Sequence, residues 1–101
     1  MLVMSGAGIP DAAAFEAEIR RRWRAAEEAG ADFVDVRAGD VHRSVGGYPG
    51  PGQRMPDCYY VMRRMMTAGD VELTEPPRGA GATLVVRYKL PRLVDYSTEK
   101  A

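Results

Sequence analysis

The apolar positions of this chain follow two repeats, one helical and one alternating, and the changeovers between them divide it into elements. Phe15, Ile19, Trp23 and Ala26 recur at spacings of four, four and three, which lays them along one stripe of a helix. Pro10 and Asp11 stand before an Ala-Ala-Ala run and Gly30 closes the pattern, so a helix is predicted from about residue 11 to 29. Its other face carries Glu16, Arg20, Arg24, Glu27 and Glu28, a solvated mixture of charges. Phe33-Val34-Asp35-Val36 alternates and predicts a short strand. Val41 and Val45, four apart between Asp40 and Gly46, predict a short second helix whose His42, Arg43 and Ser44 point outward. Gly46 to Gln53 holds four Gly and two Pro in eight residues and can only be a connector. Pro56 and Asp57 suit the first turn of a third helix, expected to run to Thr67. Cys58, Val61, Met62 and Met65 form its inward stripe, which leaves Tyr59 or Tyr60, Arg63 and Arg64 outward. Asp70 to Glu75 and Thr83 to Leu90 alternate on either side of Pro76-Pro77-Arg78-Gly79-Ala80-Gly81, the pattern of an antiparallel hairpin.

Composition narrows the possibilities. A chain of 101 residues builds one modest core, expected here over residues 11–92, between a flexible N-terminal arm (1–10) and a C-terminal tail (93–101). Leu93, Val94 and Tyr96 in that tail could dock on a partner or a second subunit. Cys58 is the only cysteine, which excludes an internal disulfide and a multi-cysteine metal site and suits a reducing compartment. Residues 1–9 lack the basic start and long apolar run of a secretion signal, and no stretch reaches the roughly 18 apolar residues of a membrane span, so a cytoplasmic location is expected. Enzymatic chemistry would need a cluster that Asp40, His42 and Asp57 do not supply, and neither a metal nor a cofactor is expected. The glycine-rich connector lacks the Gly-Lys-Ser/Thr ending of a nucleotide-binding loop and the spacing of a dinucleotide fold.

The net charge is zero but unevenly distributed. Residues 1–36 carry four arginines against seven acids, and residues 37–92 carry nine basic side chains against five acids. Twelve of the fourteen basic residues are Arg, whose forked donors match phosphates and guanine edges; a GC-rich genome produces the same enrichment. Gln53 and Arg54 just before the third helix, with Tyr60, Arg63 and Arg64 on its outer side, are the residue types a DNA major groove requires. A Met-rich core helix with a solvated Arg edge would carry the same residues. Tyr48 reads either as a plug against the core or as a stacking, phosphate-contacting tip.

The order helix, strand, helix, turn, helix, strand, hairpin tip, strand resembles the winged helix-turn-helix superfamily over residues 11–91. Asp40, Val41, Val45 and Gly46, then Pro56 to Met66, then Pro76 to Gly81 carry the resemblance, and the eight-residue Gly/Pro turn departs from the usual three or four. The resemblance implies an α+β fold of three helices, a small antiparallel sheet and a β-hairpin wing. It further implies a non-enzymatic module for double-stranded DNA, a transcription regulator or the reading component of a restriction or mobile-element system. Arg54, Tyr60, Arg63 and Arg64 would then read bases together with Gln53, Arg43 and Tyr48 would hold phosphates, and Arg78 would act from the wing. Such a surface requires Arg54, Arg63 and Arg78 to share one side of the molecule. Some winged helices bind proteins instead, and zero net charge, an acidic first helix and an apolar tail suit such an adaptor or a homodimer.

Overall fold

Phe15, Ile19 and Trp23 are buried along the stripe of α1 (Ala12–Glu28), the helix against which the two other helices and the first strand pack. Asp11 caps it: the carboxylate accepts from the Ala14 amide at 3.1 Å, meeting one of the donors a helix start leaves open. The computed structural model describes residues 11–48, 50, 53–74 and 82–92. The expected N-terminal arm, the hairpin tip with Arg78 and the C-terminal tail lie outside them.

Among the described residues the chain is an α+β domain of three helices and a three-stranded antiparallel sheet, in the order α1, β1 (Phe33–Arg37), α2 (Ala38–Val45), α3 (Met55–Arg64), β2 (Val71–Thr74), β3 (Val85–Lys89). The strands lie side by side as β1-β3-β2. Alternation settles which face is inside: Val36, Val86 and Tyr88 are buried, while Phe33, Asp35 and Arg37 are exposed. Tyr88 donates its hydroxyl to the Met62 carbonyl at 2.7 Å, joining sheet to α3, and burial pushes that hydroxyl well above the usual phenol range. No described helix is long and apolar enough to cross a membrane.

Two junctions fix the helices on the sheet. α2 leaves β1 without a loop, and its first amides, Ala38 and Gly39, donate to Leu84 and Ala82 carbonyls at 2.9 and 3.0 Å. A side chain at Gly39 would bring its Cβ within 3.2 Å of the Ala82 oxygen, so glycine permits the approach. α3 starts with Pro56 in its first turn and ends at Arg64, earlier than the expected Thr67. The reason is Asp70, whose carboxylate accepts the Thr67 amide at 2.7 Å and turns the chain towards β2.

His42 corrects the sequence reading most sharply. Expected outside, it is fully buried between Phe15, at 4.9 Å between ring centroids, and Tyr48, at 5.4 Å. Glu18 is also buried; it holds Arg21 and Arg22, and Arg22 in turn donates to Ser44 Oγ at 2.9 Å and so ties α1 to α2. Each large apolar side chain in the core contributes about 1.5–3 kcal/mol, against at most about 1 kcal/mol for an exposed ion pair. The core therefore holds the fold, and the surface charges are free to serve something else.

On the outer face of the sheet Arg87 grips Asp35 with two hydrogen bonds, of 2.8 and 3.1 Å, and lies 4.0 Å over the Phe33 ring. The Arg87 hydrogen bonds, outweighing the opposing effect of burial, hold the Asp35 carboxyl below its usual range. A carboxylate whose folded value is depressed stabilises the fold above its unfolded value, and that stabilisation is lost as pH falls through the folded value. Asp35→Asn is thus expected to lower the melting temperature by a few degrees at neutral pH, with the difference from wild type shrinking below about pH 4. Melting curves of both proteins across that range test it; a difference independent of pH would rule the ion pair out as its cause.

Candidate functional site

The inward stripe of α3 is buried through Met55, Cys58, Val61 and Met62, and this determines what the helix presents to solvent. Tyr60, Arg63 and Arg64 are exposed, with Tyr60 the most exposed of the described large apolar side chains at 64%. Two stacked pairs form along this face at helical neighbour spacing. The Arg63 guanidinium lies 5.5 Å from the Tyr59 ring and donates to its hydroxyl at 2.9 Å, and Arg64 lies 5.7 Å over Tyr60. The alternative left open by the sequence is resolved in favour of Tyr60 as the outward tyrosine, with Tyr59 half-buried. Tyr59, Tyr60, Arg63 and Arg64 together border a shallow groove.

The second group gathers at the start of α3. Tyr48 is half-buried against the core, the plug of the two readings, with Arg43 5.6 Å over its ring. Gln53 turns its side-chain oxygen onto the Met55 amide at 2.6 Å, which commits that oxygen to the first turn of the helix. His42 joins the two ends of the Gly/Pro connector: Nε2 accepts the Arg54 amide at 2.8 Å and Nδ1 stands 3.1 Å from the Gly46 carbonyl. A nitrogen that accepts from an amide carries no proton, so the ring proton sits on Nδ1 and donates to Gly46. Both nitrogens are occupied, which leaves His42 unavailable as a base or a metal ligand.

Helix geometry separates the two groups. Arg54 and Arg63 are nine residues apart, which is roughly 14 Å along the axis and about half a turn in azimuth. Arg54 therefore belongs with Arg43 and Tyr48, and Arg63 with Tyr60 and Arg64, so the single side expected to hold both Arg54 and Arg63 is not formed. Arg78 lies outside the described residues.

Each of the described arginines in both groups holds an acid. Arg43 meets Asp40 at 3.4 Å, Arg54 meets Asp57 at 2.5 Å, Arg63 meets Glu72 of β2 at 3.5 Å, and Arg64 meets Glu16 of α1. Asp40 and Asp57, first-turn acids of α2 and α3, pair with arginines three residues away, whereas Glu16 and Glu72 reach the site only through the tertiary fold. The four pairs cancel in formal charge. The pairs with Asp40 and Asp57 are exposed on both sides and contribute only about 0–1 kcal/mol each, so an incoming phosphate can replace those carboxylates at little expense, whereas Glu16 and Glu72 are part-buried.

Cys58 is not placed to act as a nucleophile. Cys58 is buried with its thiol 3.6 Å from the Ala38 carbonyl, and burial pushes it up to about 12, so at neutral pH it remains an unreactive thiol. Among the described residues no three His, Cys, Asp or Glu side chains come together as a metal-binding group. No family model, curated protein or solved structure matches this chain.

Proposed function

We propose that this domain is a winged helix-turn-helix module that binds double-stranded DNA and performs no chemistry on it, as a regulator or as the DNA-reading part of a restriction or mobile-element system. The single observation that carries the reading is α3 itself: its apolar stripe is buried, and Tyr60, Arg63 and Arg64 stand on the opposite, solvent-facing side. The element order and the sheet order β1-β3-β2 support the same reading, with β2 and β3 as the arms of the wing that would carry Arg78. In this arrangement Tyr60, Arg63 and Arg64 enter the major groove, and Arg43, Arg54 and the amides of the Gly/Pro connector hold phosphates. Gln53 and Tyr48 set the start of α3 and the packing of the connector.

Fluorescence anisotropy of a labelled duplex at two salt concentrations tests this. With two arginines on phosphates, affinity is expected to fall about tenfold between 50 and 200 mM salt. The double variant Arg63→Ala/Arg64→Ala is expected to bind at least about tenfold more weakly while melting within a few degrees of wild type. Absence of duplex binding at the lower salt defeats the proposal.

A second reading, a protein-binding domain or homodimer, is favoured by two observations: the arginines already hold carboxylates, and Phe33, Val71 and Leu73 are exposed. Light scattering separates the two, since a stable dimer that ignores DNA supports the second.

A further inference from the structure

A pocket of about 620 Å³ opens between α1, the turn that follows α3, and the end of β3. Its lining joins apolar and cationic side chains. Trp23 and Met65 are apolar, and Arg20, Arg64, Lys89 and Arg92 are cationic, with no carboxylate among the described lining residues. The acids nearest these cations are already engaged. Glu16 holds Arg64 and stands 3.7 Å from Arg20, Asp70 holds Arg92 at 2.8 Å, and Glu27 accepts the Arg92 backbone amide at 2.7 Å. Lys89 has no ion-pair partner among the described residues.

The indole of Trp23 adds an independent observation. Trp23 is 1% exposed, and its Nε1–H is buried with no acceptor among the described residues. Buried donors are almost always paired, because leaving one unmade forfeits the hydrogen bond it had with water. The nitrogen has no exposed surface and Arg92 lies 4.3 Å over the ring, so a ligand beside Arg92 changes the surroundings of the indole without touching it.

The geometry points to a binding site for a small organic carboxylate. Its carboxylate pairs with the Lys89 ammonium and competes with Glu16 for Arg20; its apolar body lies against Met65 and Pro91, beside the Arg92 guanidinium that covers Trp23. Size distinguishes this ligand from a bare inorganic anion. A volume of this order matches small-molecule sites, and a phosphate ion would fill a minor part of it and leave the apolar lining wet. The site shares only Arg64 with the proposed DNA-reading surface, so it stands or falls independently of DNA binding.

Trp23 is the only tryptophan of the chain, so its emission reports on this pocket alone. The full chain is titrated with cyclohexanecarboxylate, with the neutral cyclohexanecarboxamide and with inorganic phosphate, none of which absorbs where the indole does. A saturable emission change is expected with the carboxylate alone. Lys89→Ala, at an exposed position whose backbone amide still bonds Asp70, is expected to weaken that binding about tenfold or more. No saturable response to the carboxylate, equal binding of the amide, the same response to phosphate, or an unchanged affinity in a folded Lys89→Ala protein would each overturn the assignment. The acid-versus-amide comparison uses wild-type protein and decides the matter even if the variant fails to fold.

Discussion

Asp70→Ala is expected to destabilise the domain by about 3–5 kcal/mol, the loss typical of breaking a buried charge pair from one side. The Asp70 side chain has no exposed surface and answers three groups at once. One oxygen accepts from the Lys89 amide at 2.7 Å and from Arg92 Nη1 at 2.8 Å; the other accepts from the Thr67 amide at 2.7 Å and from Arg92 Nη1 at 2.9 Å. Arg92, only 7% exposed, also donates to the Met65 carbonyl at 3.0 Å and lies 4.3 Å over the Trp23 ring. Removing the carboxylate leaves a buried guanidinium without its counter-charge and two backbone amides without an acceptor. For a domain of this size the melting temperature should fall by roughly 15 °C or more. Asp70→Ala/Arg92→Met should recover part of the loss, since the stranded charge is then gone as well. Thermal and denaturant melts of the three proteins measure this, and a loss below about 1 kcal/mol for Asp70→Ala would show that water reaches the pair.

The second large effect belongs to His42→Ala, for which a loss of about 2–4 kcal/mol is expected, combining a cavity beneath Phe15 and Tyr48 with two unmade hydrogen bonds. His42→Phe separates these contributions. It retains the ring packing but leaves the Arg54 amide and the Gly46 carbonyl unpaired, so its loss should be intermediate. Because His42 bonds the residue that begins α3, the alanine variant should also weaken duplex binding at temperatures where it is still folded, if α3 reads DNA as proposed. Melting within a degree or two of wild type would show that the imidazole is dispensable to the connector.

Both effects arise at polar residues that local pattern does not reveal. Periodicity reports where apolar side chains recur, and it located Phe15, Ile19 and Trp23 on α1 and Val86 and Tyr88 on β3, because burial of a helix stripe or a sheet face imposes spacing on the residues themselves. Turn chemistry was legible for the same reason: Gly46 adopts φ +115° at the end of α2, and Pro56 needs no amide partner in the first turn of α3. The residue types of the candidate site, Tyr60, Arg63 and Arg64 on one outward helix face, were legible from the inward stripe they oppose.

Polar burial follows a different logic. Whether a histidine or a carboxylate can leave water depends on partners that chain folding brings from afar: Arg54 to His42, Lys89 and Arg92 to Asp70, Glu16 to Arg64. The sequence by itself determined the succession of helices and strands and the apolar side of each. Only the tertiary structure decided that His42 turns inward and that Arg63 and Arg64 meet Glu72 and Glu16, because each outcome is a contact between segments with no shared spacing to announce it.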